Sequence, residues 1–177
     1  LVGENTDVFG LQAAYLKEIS KLDNKSALVI GAGGVSPSVI FSLMKSKLQN
    51  ISIINRTYEK SVFLKQKFNF LNILKWEELK KVIEKFDIII NATSLGLKNK
   101  EDFVFDFTNV KESLIYIDTI YNPLETKTLK FLKEKRIKTF NGLEMFIYQG
   151  QKSFYLWNKI NPEIDQKLIE ILLSKLK

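Results

Sequence analysis

The stretch Ala27-Leu28-Val29-Ile30-Gly31-Ala32-Gly33-Gly34 decides the fold of this 177-residue chain. An apolar run of strand length passes directly into a glycine-rich turn, and helical periodicity follows through about Lys47. In that context Gly31 permits a tight turn, Gly33 lets the backbone approach a diphosphate, and the helix N-terminus offers N–H donors. Ser36 stands where the usual pattern has Gly or Ala. The alternative is a turn that only connects strand and helix and binds no ligand. We predict nucleotide contacts for Gly31, Ala32, Gly33 and Gly34.

Strand-length apolar runs alternate with helical periodicity along most of the chain. The predicted strands are Ala27–Ile30, Ile51–Ile54, Asn72–Leu74, Asp87–Ile90, Leu114–Ile117 and Ile137–Phe140. Helices are predicted after the glycine turn and over Tyr58–Phe68, Trp76–Lys85 and Glu125–Lys135. Several of the strands are almost wholly apolar, as expected where helices cover both faces of a sheet. The alternation predicts an α/β fold with a doubly wound parallel sheet and right-handed crossovers, of the Rossmann type.

Both ends of the chain are predicted to be helical. The first helix spans Asp7–Leu22, with Thr6 or Asp7 as its N-cap. Two more helices cover Leu143–Trp157 and Pro162–Leu176, with the proline near the start of the second. These end helices carry many large apolar residues, which include Phe146, Phe154, Tyr155, Leu156 and Trp157.

Composition excludes several classes of function. The chain contains no Cys and no His, which removes disulfides, thiolate nucleophiles, Cys/His zinc sites and His-based triads, so no metal site is predicted. The net charge of +7 comes from 25 Lys scattered among acidic residues and only two Arg, which does not favour a nucleic-acid partner. The longest uncharged stretch, Ser26–Met44, contains three Gly and a Pro and is better explained as strand, turn and helix than as a membrane helix. No cleavable signal is visible, and we expect a cytoplasmic location without a membrane partner.

The second predicted strand ends in residues that favour a phosphorylated cofactor. NAD-binding folds place an acidic residue near this point to hold the ribose 2′-hydroxyl, and a carboxylate would repel a 2′-phosphate. Here the strand is followed by Asn55, Arg56 and Thr57, with Lys60 one helical turn further on. A planar guanidinium suits a phosphate, and the neighbouring amide and hydroxyl add neutral hydrogen bonds. We therefore predict NADP(H) in preference to NAD(H), with Asn55, Arg56, Thr57 and Lys60 as contacts.

Six segments occur in an order and spacing that resemble the shikimate dehydrogenase family. They are Gly3–Asp7, Gly31–Gly34, Asn55–Thr57, Asn91–Gly96, Asp118–Thr126, and Gly142–Met145 with Gln149 following. The resemblance covers nearly the whole chain. It implies an NADP-dependent enzyme that reduces 3-dehydroshikimate to shikimate, a small-molecule substrate of aromatic amino-acid biosynthesis.

The resemblance also implies roles for particular residues. Asp7 matches the catalytic Asp of the family's Asn-Thr-Asp motif, which contacts the substrate and pairs with a catalytic Lys. Gln149 and Tyr121 match substrate-binding positions. The residues that match the cofactor loops and the positions beside the nicotinamide are Asn91, Ala92, Thr93, Ser94, Thr119, Gly142 and Met145. Without the resemblance, Asp7 would be best explained as only an N-cap, and Gln149 and Tyr121 could be a surface amide and a core aromatic.

The family's catalytic Lys lies in an N-terminal substrate domain that nothing in this sequence matches. We therefore expect a piece of a longer enzyme, with residues 1–22 as an inter-domain helix, 23–141 as the NADP-binding domain and 142–177 as helices facing the substrate domain. Alone, it should bind NADPH weakly or moderately and turn over negligibly. Departures from the family pattern occur at Ser38, Phe146 and Gln151. A quinate/shikimate relative with relaxed substrate or cofactor choice, a non-catalytic nucleotide-binding domain and a homodimeric assembly stay open.

Overall fold

A six-stranded parallel sheet forms the centre of the part of the chain that the structure describes. The computed structural model describes residues 3–16, 24–48, 50–97 and 106–176. The strands are β1 Ser26–Ile30, β2 Asn50–Ile54, β3 Asn72–Leu74, β4 Ile88–Asn91, β5 Ile115–Asp118 and β6 Lys138–Phe140. Their order in the sheet is β3-β2-β1-β4-β5-β6, and every adjacent pair is parallel. The predicted α/β, doubly wound parallel fold is confirmed.

Helices cover both faces of this sheet. They are α1 Thr6–Leu11, which continues as a π-helix over Gln12–Leu16, α2 Ser36–Lys45, α3 Tyr58–Lys67, α4 Leu79–Val82, α5 Lys127–Glu134, α6 Leu143–Asn158 and α7 Gln166–Lys175. Short 3-10 turns, Trp76–Glu78 and Ile83–Lys85, flank α4. The predicted first helix extends to Leu22, which lies outside the described residues. None of the helices among the described residues is long and apolar enough to cross a membrane.

Helix starts differ from the predicted ones where a side chain caps the first turn. Thr126 accepts a hydrogen bond from the Leu129 N–H at 3.3 Å, so α5 begins at Lys127 and not at Glu125. Asp165 accepts one from the Leu168 N–H at 2.8 Å, so α7 begins at Gln166 and Pro162 precedes the helix. Capping depends on side-chain geometry that apolar periodicity does not report. The observed helix starts therefore differ from the predicted ones.

Alternate residues of each central strand pack into two separate cores. From β1, Ala27 and Val29 join a cluster that includes Tyr15. Leu28 and Ile30 face the opposite side, in a cluster with residues of α4 and α5. All four of these β1 residues are fully buried. Coverage on both faces explains why these strands are continuous apolar runs without polar alternation.

Asp87, just before β4, connects the sheet to a nearby loop. Its carboxylate accepts hydrogen bonds from the Ser26 N–H at 2.8 Å, the Ser26 hydroxyl at 2.9 Å and the Lys111 ammonium at 2.6 Å. Burial raises the pKa of Asp87, but the hydrogen bonds from Lys111 and Ser26 outweigh it and hold the pKa below its ordinary value. The carboxylate therefore stabilises the fold at neutral pH, and this contribution fades as the pH falls below the unfolded pKa of about 3.9.

Replacing Asp87 with asparagine should lower the free energy of unfolding at pH 7 by about 1 kcal/mol. The difference from the unaltered chain should shrink at pH 3, because the native carboxylate is then losing its charge as well. Urea denaturation at both pH values measures it. Glu125→Gln is the control, since it removes only an exposed ion pair with Lys133 and should change stability much less. An equal loss at both pH values would contradict the linkage.

Candidate nucleotide-binding groove

A groove of about 870 Å³ lies at the carboxyl ends of the parallel strands. It opens where β1 has β2 on one side and β4 on the other, the point at which the strand order reverses. Twelve of the predicted cofactor-contacting residues line it: Gly31, Ala32, Gly33, Gly34, Asn55, Arg56, Thr57, Lys60, Ala92, Thr93, Ser94 and Thr119. Tyr121, predicted to contact substrate, lines it too. Val35, Trp76, Leu95, Leu97, Ile120 and Asn122 also line it and were not predicted.

The glycine turn packs tightly on one side and is open on the other. Gly31 has φ +108°, and a Cβ there would lie 2.7 Å from Thr93 Cγ2. Its N–H donates to the Ile54 carbonyl at 2.8 Å, and its carbonyl accepts from the Ser36 hydroxyl at 2.9 Å. At Gly33 a Cβ would meet only the Ala92 carbonyl, at 3.8 Å. Gly31 is therefore required by the protein itself, whereas Gly33 leaves open space beside the groove.

Alanine substitutions at Gly31 and Gly33 should have different effects, the first on the stability of the fold and the second on ligand binding. Gly31→Ala should destabilise the chain by about 2 kcal/mol or more, because of its positive φ and close contacts. Gly33→Ala should leave stability unchanged or raise it by about 0.5 kcal/mol, yet weaken dinucleotide binding about tenfold by occupying ligand space. Thermal melting and calorimetric titration provide the two measurements. Unchanged binding by Gly33→Ala would contradict a close approach of ligand at this turn.

Asn55 connects the end of β2 to the glycine turn. Its Oδ1 accepts from the Ala32 N–H at 3.1 Å, and its Nδ2 donates to the Thr57 carbonyl at 2.8 Å. Arg56 and Lys60 are exposed at the mouth of the groove. Among the described residues that line the groove, none is Asp or Glu. This end of the groove is thus positively charged and suited to an anionic group.

Asn91 holds the far wall of the groove in place and does not itself line it. It is fully buried, and its Nδ2 donates to Asp118 Oδ1 at 2.9 Å. Its Oδ1 accepts from the Thr93 N–H at 3.0 Å and from the Thr93 hydroxyl at 2.8 Å. Asp118 in turn accepts from the Ile120 N–H and the Thr126 hydroxyl, each at 3.0 Å. The parallel register Asn91↔Asp118 makes this link, which a single strand's sequence could not reveal.

Gly142 and Met145 lie behind the groove at the start of α6. A Cβ on Gly142 would overlap the Thr119 carbonyl oxygen, and the Gly142 N–H donates to the Ile120 carbonyl at 2.8 Å. Met145 is buried, and its N–H donates to the hydroxyl of Tyr15 at 3.3 Å. That hydroxyl donates to the Asn141 carbonyl, and burial raises the pKa of Tyr15 well above its ordinary value. Sequence reasoning missed Tyr15 because an aromatic residue on an apolar helix face indicates only core packing.

Asn5 is the N-cap of α1, so the predicted caps Thr6 and Asp7 were wrong. Its Oδ1 accepts from the Asp7 N–H at 3.1 Å, while its Nδ2 donates to Ser38 Oγ at 2.9 Å. The carboxylate of Asp7, which is half-buried, is therefore not the cap of the helix. The alternative explanation of Asp7 as only an N-cap is removed.

Gln149 on α6 meets the start of α1 through hydroxyl groups. The Thr6 hydroxyl lies 3.4 Å from Gln149 Oε1, to which it donates, and 3.0 Å from Ser153 Oγ. Gln149 Nε2 donates to the Phe146 carbonyl at 3.0 Å, and the ring of Phe146 stacks on Tyr121 with centroids 4.5 Å apart. Of the three residues predicted to contact substrate, Asp7 thus lies on α1 and Gln149 on α6, and Tyr121 lines the groove and contacts α6 through Phe146.

A glycine turn at the switch point of a doubly wound parallel sheet, with a cationic end and an uncharged end, defines a dinucleotide-binding domain. Comparison with known proteins gives the family. The family model described as shikimate / quinate 5-dehydrogenase matches residues 14–131. The chain belongs to this family, which confirms the resemblance.

Individual relatives agree with the family match. The chain is 42% identical over 97% of its length to a shikimate dehydrogenase (NADP(+)) of Pelagibacter ubique. A crystal structure of a shikimate dehydrogenase in complex with NADP+ has TM-score 0.84, 35% identity and 99% coverage of this chain. A quinate dehydrogenase from Corynebacterium glutamicum in complex with NAD has TM-score 0.86, 26% identity and 97% coverage. The chain spans 63% of the length of each of these three relatives.

Proposed function

We propose that these residues form the cofactor-binding part of an NADP-dependent shikimate dehydrogenase, which reduces 3-dehydroshikimate to shikimate in aromatic amino-acid biosynthesis. The observation that carries the proposal is the end of β2, where Arg56 and Lys60 lie at a groove whose described lining has no carboxylate. The relatives named shikimate dehydrogenase (NADP(+)), at about 40% identity, support the same cofactor and substrate.

The groove fits an extended dinucleotide in three regions. Gly33 and Gly34 leave open space at the N-terminus of α2, where backbone N–H groups suit the diphosphate. Arg56, Thr57 and Lys60 would hold the 2′-phosphate of the adenosine. Thr93, Ser94 and Thr119 line the opposite wall, where the nicotinamide half would lie. Asn91, Gly142 and Met145 would not contact the cofactor directly but would stabilise the position of the residues that form that wall.

The bound cofactor would supply the hydride, and the protein must control the proton. Hydride addition to a ketone builds negative charge on its oxygen, so a donor has to lie beside that oxygen. We propose that Asp7 contacts the substrate and orients a lysine ammonium that delivers the proton, and that this lysine belongs to a substrate domain outside these residues. Gln149 would hydrogen-bond a substrate hydroxyl, and Tyr121 would lie near the substrate and the nicotinamide.

This proposal assigns a part to each region of the chain. Residues 1–22 would connect the two domains, 23–141 would bind NADP, and 142–177 would face the substrate domain. The exposed Phe154, Trp157 and Ile160 on and after α6 are consistent with such a face. A cytoplasmic location and a homodimer stay predictions.

A quinate dehydrogenase that uses NAD is the second candidate. A relative of that name, solved with NAD, has a TM-score of 0.86 to this chain. The end of β2 disfavours this candidate. An NAD site commonly has a carboxylate there to bind the ribose hydroxyls, whereas here Arg56 follows the strand and no described lining residue is Asp or Glu.

Calorimetric titration of the 177-residue chain with NADP+ and NAD+ tests the proposal. We expect NADP+ to bind at least about tenfold more tightly, since a charge-assisted phosphate contact contributes more than 1.4 kcal/mol. Shikimate with NADP+ should give negligible turnover on this chain alone. Equal affinities, or a preference for NAD+, would contradict the proposed cofactor, and normal turnover would contradict the need for an external lysine.

A further inference from the structure

We propose that Trp76 is a cofactor-contacting residue, whose indole forms the wall against which the adenine ring packs. The inference rests on the proposed function, because it takes NADP as the ligand of the groove. It adds a residue that neither the glycine turn nor the end of β2 predicts.

The sheet register brings Trp76 and Arg56 to the same end of the β2–β3 pair. Strands β2 and β3 are parallel, and Ile54 pairs with Leu74 at their carboxyl ends. Two residues further along, β2 has led to Arg56 and β3 to Trp76. Both residues line the same groove. An edge strand of only three residues, Asn72–Leu74, therefore delivers an aromatic side chain to the ligand side of the sheet.

The strand order identifies the end of the groove at which Trp76 lies. The diphosphate turn follows β1, and β2 and β3 lie on one side of it while β4 and β5 lie on the other. The cationic residues suited to a 2′-phosphate follow β2, so the adenosine half belongs on the β2/β3 side. Thr93 and Thr119, after β4 and β5, line the opposite side. Trp76 is thus at the adenosine end.

The turn that carries Trp76 is held by reciprocal hydrogen bonds. The Lys75 N–H donates to Glu78 Oε2 at 2.7 Å, and the Glu78 N–H donates to the Lys75 carbonyl at 2.9 Å. Trp76 itself is half-buried and packs against the core cluster that contains Leu28 and Ile54. The ring is therefore anchored in the protein and also forms part of the groove surface. An anchored indole in the same groove as a guanidinium suits a flat heteroaromatic base that carries a phosphate nearby.

The test compares Trp76→Ala and Trp76→Phe with the unaltered chain by calorimetric titration of NADP+ and NAD+. Because both dinucleotides contain adenine, Trp76→Ala should weaken both by the same factor, about tenfold, and leave their ratio unchanged. Trp76→Phe keeps an aromatic face and should stay within about threefold of the unaltered chain. Trp157→Ala is the matched control, since Trp157 is 81% exposed, lies on α6 away from the groove and should not affect binding.

Fluorescence provides a second measurement that does not depend on removing the ring. The chain has two Trp, so Trp157→Phe leaves Trp76 as the sole Trp emitter, and adenosine 2′,5′-bisphosphate should change its emission saturably. The inference is overturned if Trp76→Ala leaves the affinity for both dinucleotides unchanged, or if it lowers the affinity for NADP+ alone. If Trp76→Ala fails to fold, emission unchanged at saturating ligand overturns it. An unaltered chain that binds neither dinucleotide overturns the proposed function itself, which is a different result.

Discussion

Replacing Arg56 with alanine should weaken NADP+ binding about 10- to 100-fold while NAD+ binding changes less than about threefold. Arg56 is exposed at the mouth of the groove, with Thr57 and Lys60 beside it. The guanidinium would make charge-assisted hydrogen bonds to a 2′-phosphate, and NAD+ has no phosphate there to lose. Calorimetric titration of both dinucleotides measures the change in their ratio, which is the quantity that identifies a phosphate contact.

The only other arginine of the chain provides the matched control. Arg136 precedes β6, so it lies toward the amino ends of the parallel strands, whereas the groove lies at their carboxyl ends. Its φ of 61° favours asparagine as the replacement, since Asn tolerates this conformation. Arg136→Asn removes the same charge and should leave both affinities unchanged. If the two variants weakened NADP+ equally, the effect of Arg56 would be general electrostatic attraction and not a phosphate site.

Salt adds a further distinction for Arg56. A residue that attracts the cofactor only through the net charge of +7 should lose its effect as salt screens exposed charges beyond about 10 Å. A direct guanidinium–phosphate contact keeps a larger share of its effect, because bidentate hydrogen bonds act at short range. The ratio of NADP+ to NAD+ affinity should therefore persist at high salt in the unaltered chain.

The central strands β1, β2, β4 and β5 were predictable because burial on both faces leaves an apolar run. The predicted Asn72–Leu74 agrees with β3 to the residue, and Ala27–Ile30 falls one residue short of β1. Helix ends were less predictable, since Thr126 and Asp165 set them by capping. The predicted helix over Trp76–Lys85 is α-helical only over Leu79–Val82, with tighter turns on each side.

The residues of the candidate site also fall into those that the sequence predicts and those that only the structure reveals. Residues in the turn after β1 and after β2 could be named from sequence, because a local motif brings them to the groove. Asn91 and Tyr15 form hydrogen bonds with residues distant in sequence, Asp118 and Met145, and Trp76 reaches the groove through the β2–β3 register. Such pairings are a consequence of strand order and helix packing, so only the folded chain reveals them.

Alanine at Gly142 should destabilise the chain by about 3 kcal/mol or more, because the added Cβ has no space that a side-chain movement could provide. It would overlap the carbonyl oxygen of Thr119 and lie 2.6 Å from the Thr119 carbonyl carbon and 2.9 Å from that of Ile120, all backbone atoms. Gly142 has φ −77° and ψ −2°, so alanine faces no conformational penalty and the loss is steric. Urea denaturation measures it. Since Thr119 lines the groove, NADP+ binding should fall as well.

Gly150 lies within α6, of which Gly142 is the N-cap, and is the control that isolates this steric effect. A Cβ there would meet nothing within 4 Å, so Gly150→Ala should raise the free energy of unfolding by about 0.5–1 kcal/mol through helix propensity. The two substitutions add the same methyl group, one at the N-cap of α6 and one inside it, and should change stability in opposite directions. If Gly142→Ala yields no folded protein while Gly150→Ala does, that result already shows that Gly142→Ala is the destabilising substitution of the two. Two variants of equal stability would mean that the start of α6 does not approach the Thr119 backbone closely, and that this helix does not fix the side of the groove that Thr119 lines.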